Sequence, residues 1–205
     1  MPKVARERKE ERRAHILNSA KACFSKNGFH KTTMRDILKS SRLSSGAVYG
    51  YFKSKEEIIK AIAMQTLEAN LAFLDGVKGM GDAKVQLDSL AAHFFGLLEK
   101  PEGKYISVDI ELWGEAQRNG KIKRILSKSM MAHHYELSKI LVRAKKNGEI
   151  DPAADPDSVA SALIALFQGF IIQMKIAPKA DLWRYVETVK MMLAGLMTAN
   201  KRGRR

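Results

Sequence analysis

Residues 32–55 read TTMRDILKSSRLSSGAVYGYFKSK, and their side chains suit recognition of a polyanion. Ser45, Gly46, Ala47, Tyr49, Gly50 and Tyr51 would form a small, hydroxylated, uncharged surface, with Arg35, Lys53 and Lys55 as basic flanks. A slim helix face between cations can enter a DNA major groove while the flanks hold phosphates. As one of these flanks Arg35 can hold a phosphate, and arginine is also the commonest bidentate partner of guanine. The Ala47 methyl can touch a thymine methyl, and the Ser45 hydroxyl can donate to DNA.

Such a face needs scaffolding, and the neighbouring residues provide it. Met34, Ile37 and Leu38 lie at i, i+3 and i+4, the inner face of a short helix. Thr33 with Asp36 three residues on forms an N-cap pair for that helix. Ser44 is the next cap, with Leu43 and Val48 at the two positions of a hydrophobic staple. Val48 and Phe52 point the second helix inward. Ser54 and Glu57 open a following helix as a capping box, and its N-terminus beside Lys55 offers N–H groups to a phosphate. Upstream, a helix over 10–26 has Ile16, Ala20, Cys23 and Phe24 on one face and ends at Gly28, read as a left-handed cap. Residues 1–9 read as a mobile basic segment. Arg6, Arg8, Lys9, Arg12 and Arg13 are either an arm for DNA or a solvated helix start.

The stretch LSSGAVYGYFKSKEEI resembles the recognition helix and following helix of the TetR family of bacterial transcriptional regulators. It does so through Ser44, Gly46, Tyr49, Tyr51, Phe52, Ser54, Lys55 and Glu56. FSKNGFHKTTMRDI upstream agrees with the family pattern through Phe24, Gly28, Phe29, Thr32, Thr33 and Ile37. The resemblance implies phosphate contacts from Thr33, Tyr49 and Lys55. Ser44 is placed to cap or to contact DNA, and Tyr51 to contact DNA or to rest on helix one. Two positions depart from the family. Gly50 stands where a contacting side chain, often histidine, is common. Arg42 replaces a frequent turn glycine, adding a charge at the cost of strain if its φ is positive.

The charge distribution agrees with this placement. The chain of 205 residues has a net charge of +14. Residues 1–55 hold 14 Lys and Arg against 4 Asp and Glu, whereas residues 56–200 carry 18 of each sign. The remaining excess is in the terminal KRGRR. For residues 1–55, where the charge coincides with the motif, such a footprint points to nucleic acid rather than to a solubility bias or a membrane-surface patch, and for the tail these readings stay open. The single cysteine, Cys23, excludes an intrachain disulfide and suits a reducing cytoplasm. No secretory h-region is present at the N-terminus. The longest apolar run, 159–174, is interrupted by Ser161, Gln168 and Gly169 and reads as a helix buried on nearly all sides, with no membrane partner expected.

Asp75-Gly76 and Gly79-Met80-Gly81 mark the expected division between a helix-turn-helix DNA-binding domain (1–75) and a helical ligand-binding and dimerisation domain (76–205). The whole chain reads as all-α. Helices are expected over 83–99, 105–118, 121–146, 156–176 with Asp155 as cap and Pro156 at the first position, and 181–200. Candidates for a small-molecule pocket are Phe94, Tyr105, Asp109, Trp113, Met131, Tyr135, Phe167 and Phe170. Asp109 shares a helix face with Trp113. Facing inward it would favour a cationic or hydrogen-bond-donating ligand; facing outward it would be solvated. Leu163, Phe167 and Ile171 on one helix, with Val189, Leu193 and Leu196 on the next, suit a four-helix interface between two copies.

His133 and His134 are adjacent and point about 100° apart on a helix, so no metal site is expected. No P-loop, nucleophile elbow or dinucleotide fingerprint occurs, so no cofactor and no enzymatic activity are expected. The reading is a sequence-specific regulator, a repressor by the family's habit. Its partners are double-stranded DNA with a palindromic operator, a second copy of the chain and an unidentified small-molecule ligand. The rivals are a nucleoid-type binder without operator preference and a helical small-molecule enzyme.

Overall fold

A computed structural model describes residues 2–99, 105–177 and 181–197. Every regular element among them is helical: α1 (Pro2–Lys31), α2 (Met34–Ser41), α3 (Ser45–Tyr49), α4 (Lys55–Val77), α5 (Ala83–Glu99), α6 (Ile106–Ala116), α7 (Gly120–Lys146), α8 (Pro156–Ile176) and α9 (Leu182–Met197). The all-α expectation holds, and the expected helices are present with shifted ends. The largest shift is at the start. α1 begins at Pro2, so residues 2–9 are helical rather than an unstructured segment.

Two compact units form. One comprises Met1–Ala69 with Lys104–Ser127, the other Asn70–Gly103 with Lys128–Arg205. This grouping differs from a division at 75/76. Gly79 and Gly81 do make a turn, with φ of 86° and 30°. A turn marks a chain reversal, however, not the edge of a core. Val108 and Leu112 of α6 and Ile122 of α7 are buried with Ile16, Phe24, Ile37 and Val48, so α6 and the first turns of α7 belong with the helix-turn-helix.

In the first unit, Ile16, Leu17, Ala20 and Phe24 bury one face of α1, each large side chain adding about 1.5–3 kcal/mol of hydrophobic stabilisation. Cys23 packs on the same core, its Sγ 3.7 Å from the Asp36 carbonyl. Gly28 interrupts α1 with φ 75° and ψ 169°. That combination is extended rather than left-handed helical, and it is close to glycine-only. The break turns Phe29 back so that its ring meets Phe24 edge-on at 4.8 Å.

In the second unit, Leu74 and Val77 of α4, Leu87 and Leu90 of α5, Leu137, Ile140 and Leu141 of α7, and Ala160 of α8 share a core. An aromatic group adds to it. Phe170 stacks on Tyr185 at 4.2 Å, and Phe95 meets Phe167 and Phe170 edge-on. The Tyr185 hydroxyl donates to the Leu166 carbonyl at 2.6 Å. Asp155 caps α8 through Ser158 N. α8 is long and apolar enough to cross a membrane by composition, and little of it is buried within one chain. The expectation of a helix covered on nearly all sides is therefore not met by a single chain.

Candidate functional site

The α2–α3 segment is built from caps. Thr33 Oγ1 accepts from Asp36 N at 3.3 Å, and Asp36 Oδ2 accepts from Thr33 N at 2.8 Å and from Thr33 Oγ1 at 2.7 Å. This reciprocal box starts α2 as expected. The Thr33 side-chain bond, followed by the backbone bond, holds the Asp36 carboxyl below its ordinary range. The Thr33 proton is thus committed to Asp36, and a phosphate must compete for it. Ser44 caps α3 by accepting from Ala47 N at 3.2 Å. Acting as acceptor there, it keeps its own O–H as a donor.

α3 is one and a half turns long, and its burial pattern defines a face. Val48 is fully buried and Phe52 nearly so, while Ser45, Gly46, Tyr49 and Gly50 are exposed and Ala47 is half-buried. Tyr51 packs against the core, which favours a structural role for its ring. The Arg13 guanidinium lies 5.6 Å from the Phe52 centroid, so this member of the basic N-terminal group is held by a cation–π contact. Arg6, Arg8, Lys9 and Arg12 are exposed along α1. Arg35, Lys39, Arg42 and Lys53, which precede and follow α3 in the sequence, are also exposed.

Arg42 is the C-cap of α2 at φ 55° and ψ 25°, and its N–H donates to the Leu38 carbonyl. Among the described residues it alone combines a side chain with positive φ. The left-handed region costs a β-carbon-bearing residue roughly 1–2 kcal/mol.

Lys55 is placed differently from a simple phosphate ligand. Its Nζ donates to the carbonyls of Phe29 at 2.7 Å and Thr32 at 2.9 Å, with His30 at 3.5 Å. It neutralises the carbonyl end of α1. The capping of α4 is also modified: Ser54 Oγ accepts from Glu57 N, but the Glu57 carboxylate reaches one residue further back, to Lys53 N at 2.7 Å.

The turn between α1 and α2 is gripped from α6 as well. Glu111 Oε2 accepts from Phe29 N at 3.1 Å, and a β-carbon on Gly28 would lie 3.1 Å from Glu111 Oε1. Arg118 bonds His30 Nε2 at 2.9 Å. His15 Nε2 bonds the Ser41 carbonyl at 2.8 Å, tying α1 to the end of α2. Sequence reasoning missed Glu111, Arg118 and His15 in this role. Their partners lie 82, 88 and 26 residues away, and no local pattern signals them.

The eight pocket candidates are divided between the units. Tyr105, Asp109 and Trp113 belong to the first, and Met131, Tyr135, Phe167 and Phe170 to the second. Phe94's side chain lies outside the described residues. Phe170 is fully buried in the aromatic group, while Met131 and Tyr135 are exposed. Asp109 is half-buried, and its desolvated carboxyl is pushed up to about 6, with Lys21 opposing the shift. Burial likewise pushes the His133 ring down to about 4. His134 bonds Ser161 and the Asp157 carbonyl. Among the described residues no three His, Cys, Asp or Glu side chains are grouped to hold a metal.

Of the interface candidates, Ile171 and Val189 are buried within the chain, and Leu163 and Phe167 are half-buried. The side chains of Leu193 and Leu196 lie outside the described residues. The apolar residues that α8 and α9 turn outward include Ile172, Ile176, Met191 and Met192.

Known proteins resemble the chain along nearly its whole length. Residues 16–62 match the family described as bacterial regulatory proteins, tetR family. Residues 83–198 match the C-terminal region of the BetI-type transcriptional repressors. The HTH-type transcriptional regulator UidR of Escherichia coli K12 is 29% identical over 189 residues, covering 92% of this chain and 94% of UidR. Salmonella enterica GusR superimposes with a TM-score of 0.72 at 28% identity, over 92% of this chain and 96% of GusR. The triclosan complex of SmeT, the repressor of a Stenotrophomonas maltophilia efflux pump, shares the fold with a TM-score of 0.74 at 24% identity, over 92% and 93% of the two chains.

Proposed function

The chain belongs to the TetR family of bacterial transcriptional regulators, and from that premise we propose a homodimeric repressor that a small molecule releases from a palindromic operator. The observation that carries the DNA-binding part is the α3 face. It is capped by Ser44 and backed by Val48 and Phe52, and the flanking segments carry the exposed cations Arg35, Lys39, Arg42 and Lys53. In this reading Arg35, Ser45 and Ala47 read bases. Thr33, Ser44, Tyr49 and the backbone N–H groups at the start of α4 meet phosphates. Gly50 lets the backbone approach closely, Tyr51 braces the face from behind, and Lys55 shapes the site through the α1–α2 turn.

One α3 helix spans only a few base pairs, so a second copy is needed for useful specificity. The outward apolar residues of α8 and α9 support that copy as the occupant of this face. Two heads about 34–36 Å apart match one turn of DNA. A ligand that prefers another spacing lowers operator affinity by its differential binding to the two states, and about 4 kcal/mol of preference is roughly a thousandfold. The protein acts in the cytoplasm, where its DNA target is.

Selection of bound sequences from a random duplex library at near-physiological salt tests the proposal. Enrichment of a palindrome with half-sites about one helical turn apart is the expected result. Salt-sensitive binding to every duplex without enrichment would replace the regulator by a nucleoid-type binder.

A further inference from the structure

The second unit carries a groove that none of the recognition chemistry above uses. It encloses about 400 Å³, within the range of small-molecule sites. The end of α4, α5 and the later turns of α7 form its walls. Its floor is apolar, from Leu74, Val77, Leu90 and Ile140. Its rim holds three cations, Lys78, Lys139 and Arg143, and one carboxylate, Glu136.

The arrangement of these charges decides what the groove accepts. Glu136 is already engaged, with Lys78 Nζ at 3.6 Å and Lys139 Nζ at 3.8 Å. Lys78 is also paired with Asp75 at 2.9 Å. Even counting Asp75, positive groups outnumber negative ones. Lys139 sits 5.0 Å from the Tyr135 ring centroid, on the wall of the groove. Arg143 is the fixed point. One of its terminal nitrogens donates to Gln86 Oε1 at 2.5 Å, and Gln86 is itself buried and donates to the Met80 carbonyl at 2.7 Å. A guanidinium offers five donors in a rigid fork. Anchoring one of them on a buried amide orients the rest without consuming them. A preorganised Arg one helical turn from an exposed Lys, above an apolar floor, is a receptor for a planar anionic head on an apolar body.

We propose that this groove binds an amphipathic organic anion, with its carboxylate on Arg143 and Lys139 and its apolar body on Leu74, Val77, Leu90 and Ile140. The inference rests on reading the protein as a ligand-responsive regulator and supplies the chemical class of the ligand. A carboxylate there competes with Glu136 for Lys139. A neutral analogue lacks the Arg143 contact, and a cationic analogue faces three like charges.

Calorimetric titration of the full-length protein with octanoate, 1-octanol and octyltrimethylammonium tests this. Octanoate is expected to bind at least tenfold more tightly than octanol, with no detectable binding of the cation. Arg143→Gln and Lys139→Gln should each weaken octanoate at least fivefold and leave octanol unchanged. Lys139 is exposed, with its ammonium near Glu136 and Tyr135, so its variant keeps the test valid if loss of the Arg143–Gln86 bond disturbs folding. Equal binding of octanoate and octanol, absence of octanoate binding, or indifference to both substitutions would overturn the proposal. DNA binding is measured separately, without added anion. A protein that binds operator but not octanoate loses only the groove assignment. One that binds octanoate but selects no DNA sequence keeps the groove and loses the regulator reading.

Discussion

The Lys55 ammonium lies 2.7 Å from the carbonyl oxygen of Phe29. With the Thr32 carbonyl at 2.9 Å it closes the end of α1 onto the start of α4. Lys55→Met removes these charge-assisted bonds and leaves half-buried carbonyls without their cation. Unfolding stability should fall by about 1–3 kcal/mol. The slope of log affinity against log salt should change by less than the roughly one unit expected for a lost phosphate contact. Urea titration and salt-dependent DNA binding on the same variant separate the two roles.

Arg42 holds a left-handed conformation at φ 55°. Arg42→Gly relieves that strain and should raise stability by roughly 1 kcal/mol. The same substitution removes an exposed cation from the segment that precedes α3. Affinity for all DNA sequences should therefore drop, with the salt slope reduced by about one. A variant that is more stable yet binds DNA more weakly is the expected signature, read by thermal melting and by titration of duplex.

Asp109 gives a pH prediction of opposite sign to that of an ordinary paired carboxylate. Its folded pKa is raised to about 6 by desolvation. The folded state therefore binds the proton more tightly than the unfolded state. Its contribution to stability is fully present below the unfolded pKa, about 4, and is lost as pH rises through about 6. Asp109→Asn should stabilise the protein at pH 7.5 by roughly 2 kcal/mol and remove this slope. Asp36 and Asp155, whose caps lower their pKa, act the other way, with stability lost as pH falls below about 4. Chemical unfolding at a series of pH values reports both.

Ile172 of α8 and Met191 of α9 are exposed apolar residues of the proposed dimer face. A glutamate at either position places a charge that must be desolvated on association. Sedimentation should show Ile172→Glu and Met191→Glu as monomers with unchanged helix content. Their affinity for a palindromic duplex should fall by about a hundredfold or more, since the second head no longer binds intramolecularly. Dimers of normal DNA affinity would move the interface elsewhere.

The positive φ of Arg42 came from the structure, whereas the all-helical class, the two caps at Thr33 and Ser44, and the inward pair Val48 and Phe52 were legible in the amino-acid order. Each depends on residues within about one or two helical turns of one another, where side-chain type and spacing dictate conformation directly. Charge density likewise placed the nucleic-acid end, because it needs only counting. What the order could not supply was the partner of a group far along the chain. Lys55 reads as a phosphate ligand from its family position, and only folding brings it to three carbonyls 23 to 26 residues earlier. Gly28 signalled a helix end, but only the structure shows its glycine-favouring φ of 75° and the approach of Glu111 to the position a β-carbon would take. The assignment of α6 to the first unit, the outward register of α8, and the meeting of Lys139, Arg143 and buried Gln86 around one groove were decided by tertiary packing. Such contacts join segments with no local constraint between them, and burial of a shared core, rather than any periodicity, selects which faces meet.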